Sequence, residues 1–257
     1  MFVWLAVVGA VVLAHAAPFP FLLDVTDRTV WRMPAGDPPT IYLTFDDGPN
    51  PTATPDLLDT LARHGVKGTF FIIDRHLTDE TAPLVRRAFE EGHAVALHSH
   101  TRMLMFKTAG GLAKTLERAA ARMERLTGHA PCRAFRPHAG NRSVPMLRGA
   151  ARAGYQVIGW GWMLWDFDFF KAKTADSLVP RLVDHASPGD IVVIHDGHHK
   201  DPRADRRYAV ETIDRLIPEL KAKGFQFGTI CPGSVAGGSL LLLGYPDELI
   251  GDLFSQF

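Results

Sequence analysis

Between Ile41 and Ile230, short apolar runs alternate with longer stretches of amphipathic, helix-like periodicity. The runs are Ile41–Phe45, Lys67–Ile72, Ala94–Leu97, Arg133–Arg136, Gln156–Trp160, Ile191–His195 and Gln226–Ile230. Runs of this length bounded by turn residues predict strands. The stretches between them have recognisable ends. Thr54 caps a helix with Pro55 at its first position and Gly65 beyond its end, the usual proline-in, glycine-out asymmetry. Ala82–Glu91 stops at Gly92, Leu112–Leu126 at Gly128, Val144–Ala153 at Gly154 and Tyr208–Lys223 at Gly224, with a further helix over Thr174–Ala186. Strands joined through helices of this length imply right-handed crossovers and a parallel sheet. The predicted fold is α/β: a distorted, incomplete (β/α) barrel with about seven parallel strands. No Gly-x-Gly-x-x-Gly follows the first strand, which removes the main sign of an open dinucleotide-binding sheet.

In such an arrangement all C-terminal strand ends face one way, and that is the end where barrels assemble active sites. Ionisable residues gather there. Asp46 and Asp47 follow the first strand and His98 the third; Arg136 closes the fourth, Asp166 comes soon after the fifth, and His195 with Asp196 closes the sixth. That placement predicts an enzyme. Two adjacent carboxylates at a strand end repel each other unless something compensates. A divalent cation bound by one of them does so and leaves the other free as a base. A turn at Gly48-Pro49 explains one aspartate but not two.

The 257 residues suffice for one large α/β domain, and 28 Lys plus Arg balance 28 Asp plus Glu. That balance offers no footprint for nucleic acid. No charged side chain occurs from Met1 to Leu23, Phe2–Leu13 is apolar, and Ala14-His15-Ala16 resembles a small-x-small cleavage site. Residues 1–17 are therefore expected to be a signal peptide, or else a retained N-terminal anchor associating the protein with a membrane. Either way the protein is expected to be exported: periplasmic, at the cell surface or secreted. From Gly233 the composition becomes Gly/Ser-rich and then apolar, and residues 233–257 are expected to pack as a tail on the barrel's outside. Cys132 and Cys231 sit beside predicted strands and are compatible with one disulfide or with two buried thiols.

The string Thr44-Phe45-Asp46-Asp47-Gly48-Pro49 resembles the first motif of the NodB-type polysaccharide deacetylases. The resemblance continues in order. Gly92-His93 with His98-Ser99 is similar to the second motif, Phe135-Arg136-Pro137-x-x-Gly140 to the third, Trp160 with Asp166 to the fourth, and Gly189–Asp196 to the fifth. It implies a NodB homology domain over residues 18–232 that hydrolyses N-acetyl groups on an amino-sugar polysaccharide, a peptidoglycan or chitin-like glycan. By the same resemblance Asp46 matches the general base, Asp47 and His98 match metal ligands, and Arg136 matches the arginine that orients the base. Asp166 matches the aspartate that tunes the catalytic histidine, and His195 matches that histidine, the general acid. The implied cofactor is a divalent metal ion, zinc first, with cobalt, nickel or manganese as alternatives. Backbone amides near Ala139 would help hold the developing oxyanion.

Two positions depart from the family pattern. A second histidine normally stands four residues after the first, but here that position is Arg102, in the run His98-Ser99-His100-Thr101-Arg102. Arginine stays protonated and is no ordinary metal ligand. His100 is the candidate substitute, on irregular backbone, because an i, i+2 pair does not share a helix face. The other departure is His138-Ala139 where the family usually has proline and tyrosine. Among the aromatic residues after the fifth strand, those near Asp166, Trp165 in particular, are expected to line the cleft and stack on sugar rings. His198-His199-Lys200 is expected to form a solvated loop. Two competing readings are a metal-free glycan-binding module, favoured by Arg102 and opposed by Asp46, Asp47 and His195, and a hydrolase of another non-peptide C–N bond.

Overall fold

The computed structural model describes residues 29–161, Asp166 and residues 173–231. The expected signal segment, the C-terminal tail and Trp165 lie outside the described residues. Strand β1 (Thr40–Asp46) is followed by helix α1 (Thr54–Arg63), β2 (Thr69–Ile73) by α2 (Ala82–Glu90), and β3 (Ala94–His98) by α3 (Ala109–Thr127). Then come β4 (Ala134–Arg136), α4 (Val144–Arg152), β5 (Gln156–Val157), α5 (Ala175–His185), β6 (Ile191–His195), α6 (Arg207–Ala222) and β7 (Gln226–Gly228). The strands pair in the order β5-β4-β3-β2-β1-β6, every pairing parallel, and β7 pairs with the first residues of β1. This is the incomplete (β/α) barrel the alternation predicts.

Successive strand residues point to opposite faces, and that alternation sorts the core into two shells. Ile41, Leu43 and Phe45 of β1, Phe70 and Ile72 of β2, Val95 and Leu97 of β3, and Val192 and Ile194 of β6 pack outward against Leu57, Leu61, Leu116 and Leu216 of the helices. Phe71, Ala96, Ala134, Ile158, Ile191 and Ile230 fill the barrel interior. Asp46, His98, Arg136 and His195 continue those inner rows at the strands' C-terminal ends, in phase with Tyr42, Ala96, Ala134 and Ile191. The apolar pattern that builds the core therefore aims the ionisable residues into one cavity.

β5 stops at Val157, short of the predicted Trp160. Beyond it a different partner takes over the pairing. Val30 bridges to Ile158 in parallel, Gly159 N donates to Val30 O at 2.8 Å, and Arg32 bridges to Asp190 beside β6. Gly161 N then donates to Ile191 O at 2.9 Å. The segment from Val30 to Met33 thus fills the gap between β5 and β6. Gly159 makes room for it, since a Cβ there would lie 2.3 Å from the Trp31 ring.

Gly65, Gly92, Gly128, Gly154 and Gly224 stand at or just past the helix ends with positive φ, as expected, but the one cap expected from the sequence is not made. Thr108, Ser143 and Thr174 cap α3, α4 and α5 through their side chains. Thr54 does not cap α1, whose N-cap is Ala53. Its hydroxyl instead donates to Asp196 Oδ2 at 2.5 Å and accepts from Asn50 N at 2.9 Å, tying α1 to the end of β6. Cys132 and Cys231 form a disulfide with Cα atoms 6.2 Å apart, joining the approach to β4 to the residues after β7 across a sequence separation of 99.

Candidate active site

The two adjacent aspartates end up in one cavity because the backbone reverses between them. A strand would send Asp47 to the face opposite Asp46. Asp47 instead adopts the left-handed conformation (φ 71°), a strained choice for a non-glycine residue and one that persists where the surroundings enforce it. Those surroundings are specific. His76 Nδ1 lies 3.2 Å from Asp47 O, and a Cβ on Gly197 would lie 2.1 Å from that same oxygen. The β6–α6 connection therefore presses on the turn at a point that only glycine permits.

Asp46 is held by Arg136, whose side chain is fully buried. Arg136 Nη1 donates to Asp46 Oδ1 at 2.6 Å and to Thr44 Oγ1 at 2.8 Å, and Nη2 donates to Gly159 O at 2.8 Å. The guanidinium lies 3.9 Å above the Phe71 ring at the top of the apolar interior. Asp46 Oδ2 is left free of the arginine and stands 3.9 Å from His98 Nε2.

His98 Nδ1 lies 2.8 Å from Arg136 O, which fixes the proton on Nδ1 and leaves the Nε2 lone pair facing inward. Nε2 is 3.3 Å from Asp47 Oδ1, a buried oxygen with no hydrogen-bond partner. Burial works to raise the Asp47 carboxyl, but the neighbouring imidazoles of His98, His195 and His138 hold it well below the usual carboxylate range. The third imidazole comes from the turn after β4. Ligand atoms of Asp47, His98 and His138 all lie within 4.8 Å of one another. His138 N is anchored by Ser99 Oγ at 2.7 Å, and burial, with help from His98, lowers its imidazole to about 4. Two imidazole side chains and one carboxylate whose buried oxygen lacks a hydrogen-bond partner are a fitting donor set for a divalent cation.

His100 is not one of these three residues. β3 ends at His98, so His100 lies beyond the strand register that aims His98 inward. His100 lines a cavity of about 610 Å³ together with His98, Asp74, Arg75, Leu104 and Arg122, between β3 and α3. The exposed Arg102 contributes no ligand; its charge helps keep His138 deprotonated. Of the two departures from the family pattern, one removes a histidine from the second motif and the other places His138 beside Asp47 and His98. His198 and His199 do not simply face solvent, since the His199 ring packs 4.6 Å from His138 and the His198 ring 4.6 Å from His199.

Across the cavity, His195 is the direct register partner of Asp46. Its Nδ1 lies 2.6 Å from Asp166 Oδ1, and its backbone N donates to Asp166 Oδ2 at 2.8 Å. Burial opposes the imidazolium, but the fully buried Asp166 outweighs it and raises His195 to about 9. Burial likewise works to raise Asp166, and His195 outweighs it to hold the carboxyl at about 2. Asp196, buried beside Gly48, is pushed up to about 7 by burial against the Thr54 hydrogen bond, with Asp46 and Asp47 adding to the rise. Trp160 is a core residue, edge-on to Trp31 at 5.7 Å. In the turn after β4, Gly140 N and Asn141 N bond to Pro137 O and His138 O, leaving the Ala139 N–H out of both bonds.

A family model described as polysaccharide deacetylase matches residues 33–158. A chitooligosaccharide deacetylase of Sinorhizobium fredii is 35% identical over 207 residues, covering 77% of this chain and 93% of that protein. A peptidoglycan-N-acetylglucosamine deacetylase of Bacillus cereus is 30% identical over 208 residues, covering 81% and 93% respectively. Among solved structures, a family 4 acetyl xylan esterase from Clostridium thermocellum in complex with a cobalt ion has a TM-score of 0.65 at 26% identity, covering 74% of this chain and 88% of that one. The chain belongs to the polysaccharide deacetylase family and is a hydrolase of that type. Among the described residues no helix is long and apolar enough to cross a membrane.

Proposed function

We propose that the protein is an exported, metal-dependent deacetylase that removes N-acetyl groups from the amino sugars of a glycan of the peptidoglycan or chitin type. The observation that carries this reading is the convergence of Asp47, His98 and His138 between an arginine-held Asp46 and an aspartate-held His195. The named activities of the relatives, on peptidoglycan and chitooligosaccharides, supply the substrate class. Zinc suits the donor set best, with cobalt, nickel and manganese as alternatives. The Cys132–Cys231 disulfide fits an oxidising compartment.

Asp47, His98 and His138 would hold the ion. The chemistry it supplies there is polarisation of the acetyl carbonyl and activation of water near neutral pH. Asp46 takes the proton of the attacking water through Oδ2, since Oδ1 is committed to Arg136. The Ala139 N–H faces no competing bond in its turn and donates to the developing oxyanion. His195 enters as imidazolium and protonates the leaving amine, assistance worth about 10²–10⁴-fold. Trp165 is proposed as an aromatic contact for a sugar ring of the substrate.

The test is acetate release from peptidoglycan and chitooligosaccharides, before and after chelation. Release that stops with chelator and returns with zinc supports the reading. Metal-independent release, or none from any N-acetylated glycan in the presence of several metals, overturns it.

A further inference from the structure

Behind the His195–Asp166 pair stands a phenol that the reaction just described does not use. Tyr208, in the first turn of α6, donates its hydroxyl to Asp166 Oδ2 at 2.9 Å. Arg206 Nη1 in turn donates to the same phenol oxygen at 3.0 Å, while Arg206 Nε donates to Gly197 O at 2.6 Å. The direction of this chain is settled by donor chemistry. Arginine has only donors, so the phenol oxygen must accept from it, and the phenol proton is left for the carboxylate. Burial, reinforced by the Asp166 charge, raises Tyr208 far above an ordinary phenol, so the proton stays on the tyrosine.

We propose that Tyr208, backed by Arg206, is a positioning residue that fixes Asp166 and draws negative charge away from it, so that His195 is a stronger acid than the buried aspartate alone would leave it. This rests on the assignment of His195 as the general acid. An imidazolium paired to a fully buried carboxylate binds its proton tightly and releases it slowly to a leaving amine. Each donor on Asp166 disperses the carboxylate charge and weakens that hold. Asp166 accepts three: the His195 ring, the His195 backbone and Tyr208. Arg206 also anchors the Gly197 carbonyl, so one guanidinium links the acid's support to the glycine that presses on the Asp47 turn.

Among the described residues, the charged and titratable groups facing His195 come from four elements. Asp166 comes from the segment after β5 with Lys173 nearby, Tyr208 and Arg206 from the start of α6, Asp46 and Asp47 from the end of β1, and Asp196 from β6 itself. Tyr208→Phe removes a single hydroxyl and keeps the ring. Titration of the His195 ring nitrogens by NMR in the metal-free protein, beside the pH profile of kcat in the metal-loaded enzyme, reads the effect twice.

The expected result is an upward shift of the His195 titration by about half a unit, with the alkaline limb moving up and kcat falling several-fold at little change in KM. Asp166→Asn, in the same experiment, should move the titration down. The opposite signs separate charge dispersal from loss of structure, because a loosened site would lower the value in both variants. An unmoved or lowered His195 in Tyr208→Phe overturns this inference alone. An unmoved His195 in Asp166→Asn overturns the pairing on which it rests.

Discussion

Arg136 Nη1 lies 2.6 Å from Asp46 Oδ1 with both side chains buried, and the same guanidinium covers the Phe71 ring at the top of the barrel's apolar interior. The pair is the joint between core and chemistry: one face packs as hydrophobic filling, the other orients a carboxylate. Asp46→Asn should therefore abolish turnover, by about 10²–10⁴-fold or more, while metal is still bound, and should lower the melting temperature because the buried Arg136 loses its counter-charge. Kinetics and calorimetry on that variant check the assignment; substantial remaining activity would place the base elsewhere.

The pH dependence has a definite sign. His195 is raised to about 9 from an ordinary 6.5 by Asp166, against the effect of burial. Its folded value exceeds its unfolded one, so the imidazolium contributes stability that is fully present below about 6.5 and lost as pH climbs through about 9, while the share of Asp166 is lost only as pH falls from about 4 through about 2. Activity that needs the imidazolium should fall along the same limb, displaced downward in the loaded enzyme by the nearby cation. Asp166→Asn should move the alkaline limb lower still. A limb that stays where it was would remove Asp166 as the partner of His195.

Gly197→Ala probes the contact that holds the Asp47 turn. The added Cβ would sit 2.1 Å from Asp47 O and 2.7 Å from Gly48 N, so the backbone carrying Asp47 must move. We expect metal affinity to fall at least tenfold, a loss of the size found when the support of a ligand is disturbed. Calorimetric titration reads it. Unchanged affinity would mean that the β6–α6 connection does not set the position of Asp47.

Much of this was legible in the sequence because strand periodicity is simple. Every helix and strand predicted from Ile41 onward is present, and the inward phase of Asp46, His98, Arg136 and His195 follows from the rows of apolar residues beneath them. The shortened β5 was not legible, because Gln156–Trp160 looks like a strand whichever partner it pairs with, and only the fold brings Val30 to Ile158. Thr54 looked like a cap because its sequence context matches one; its hydroxyl is recruited by Asp196, distant in sequence. His138 stands out as a departure from the family pattern, yet the sequence offers only the neighbouring His100 as a candidate substitute for Arg102. The signal that could have found it is compensation: a histidine lost in one strand-end motif and gained in the next. Tyr208 and Arg206 carried no signal, since their role depends on where α6 begins in space.

The disulfide gives a prediction independent of the chemistry. Cross-linking residues separated by 99 positions removes unfolded-chain entropy worth about 4–5 kcal/mol. Replacing both Cys132 and Cys231 by alanine should lower the melting temperature markedly while kcat at moderate temperature is retained, since neither sulfur reaches the site. Calorimetric unfolding and a parallel assay check this, and an unchanged melting temperature would show that the link does not form in the native protein.

The central claim is that the metal shell is completed by a histidine of the third motif. Titrating zinc into the metal-free protein by calorimetry, for the parent, His138→Ala and His100→Ala, tests it most directly. Loss of one of three ligands should weaken binding by about a hundredfold or more in His138→Ala. His100→Ala should bind within about threefold of the parent, because its ring is not among the ligand atoms of Asp47, His98 and His138 that lie within 4.8 Å of one another. Unchanged affinity in His138→Ala, with a large loss in His100→Ala, would contradict the account.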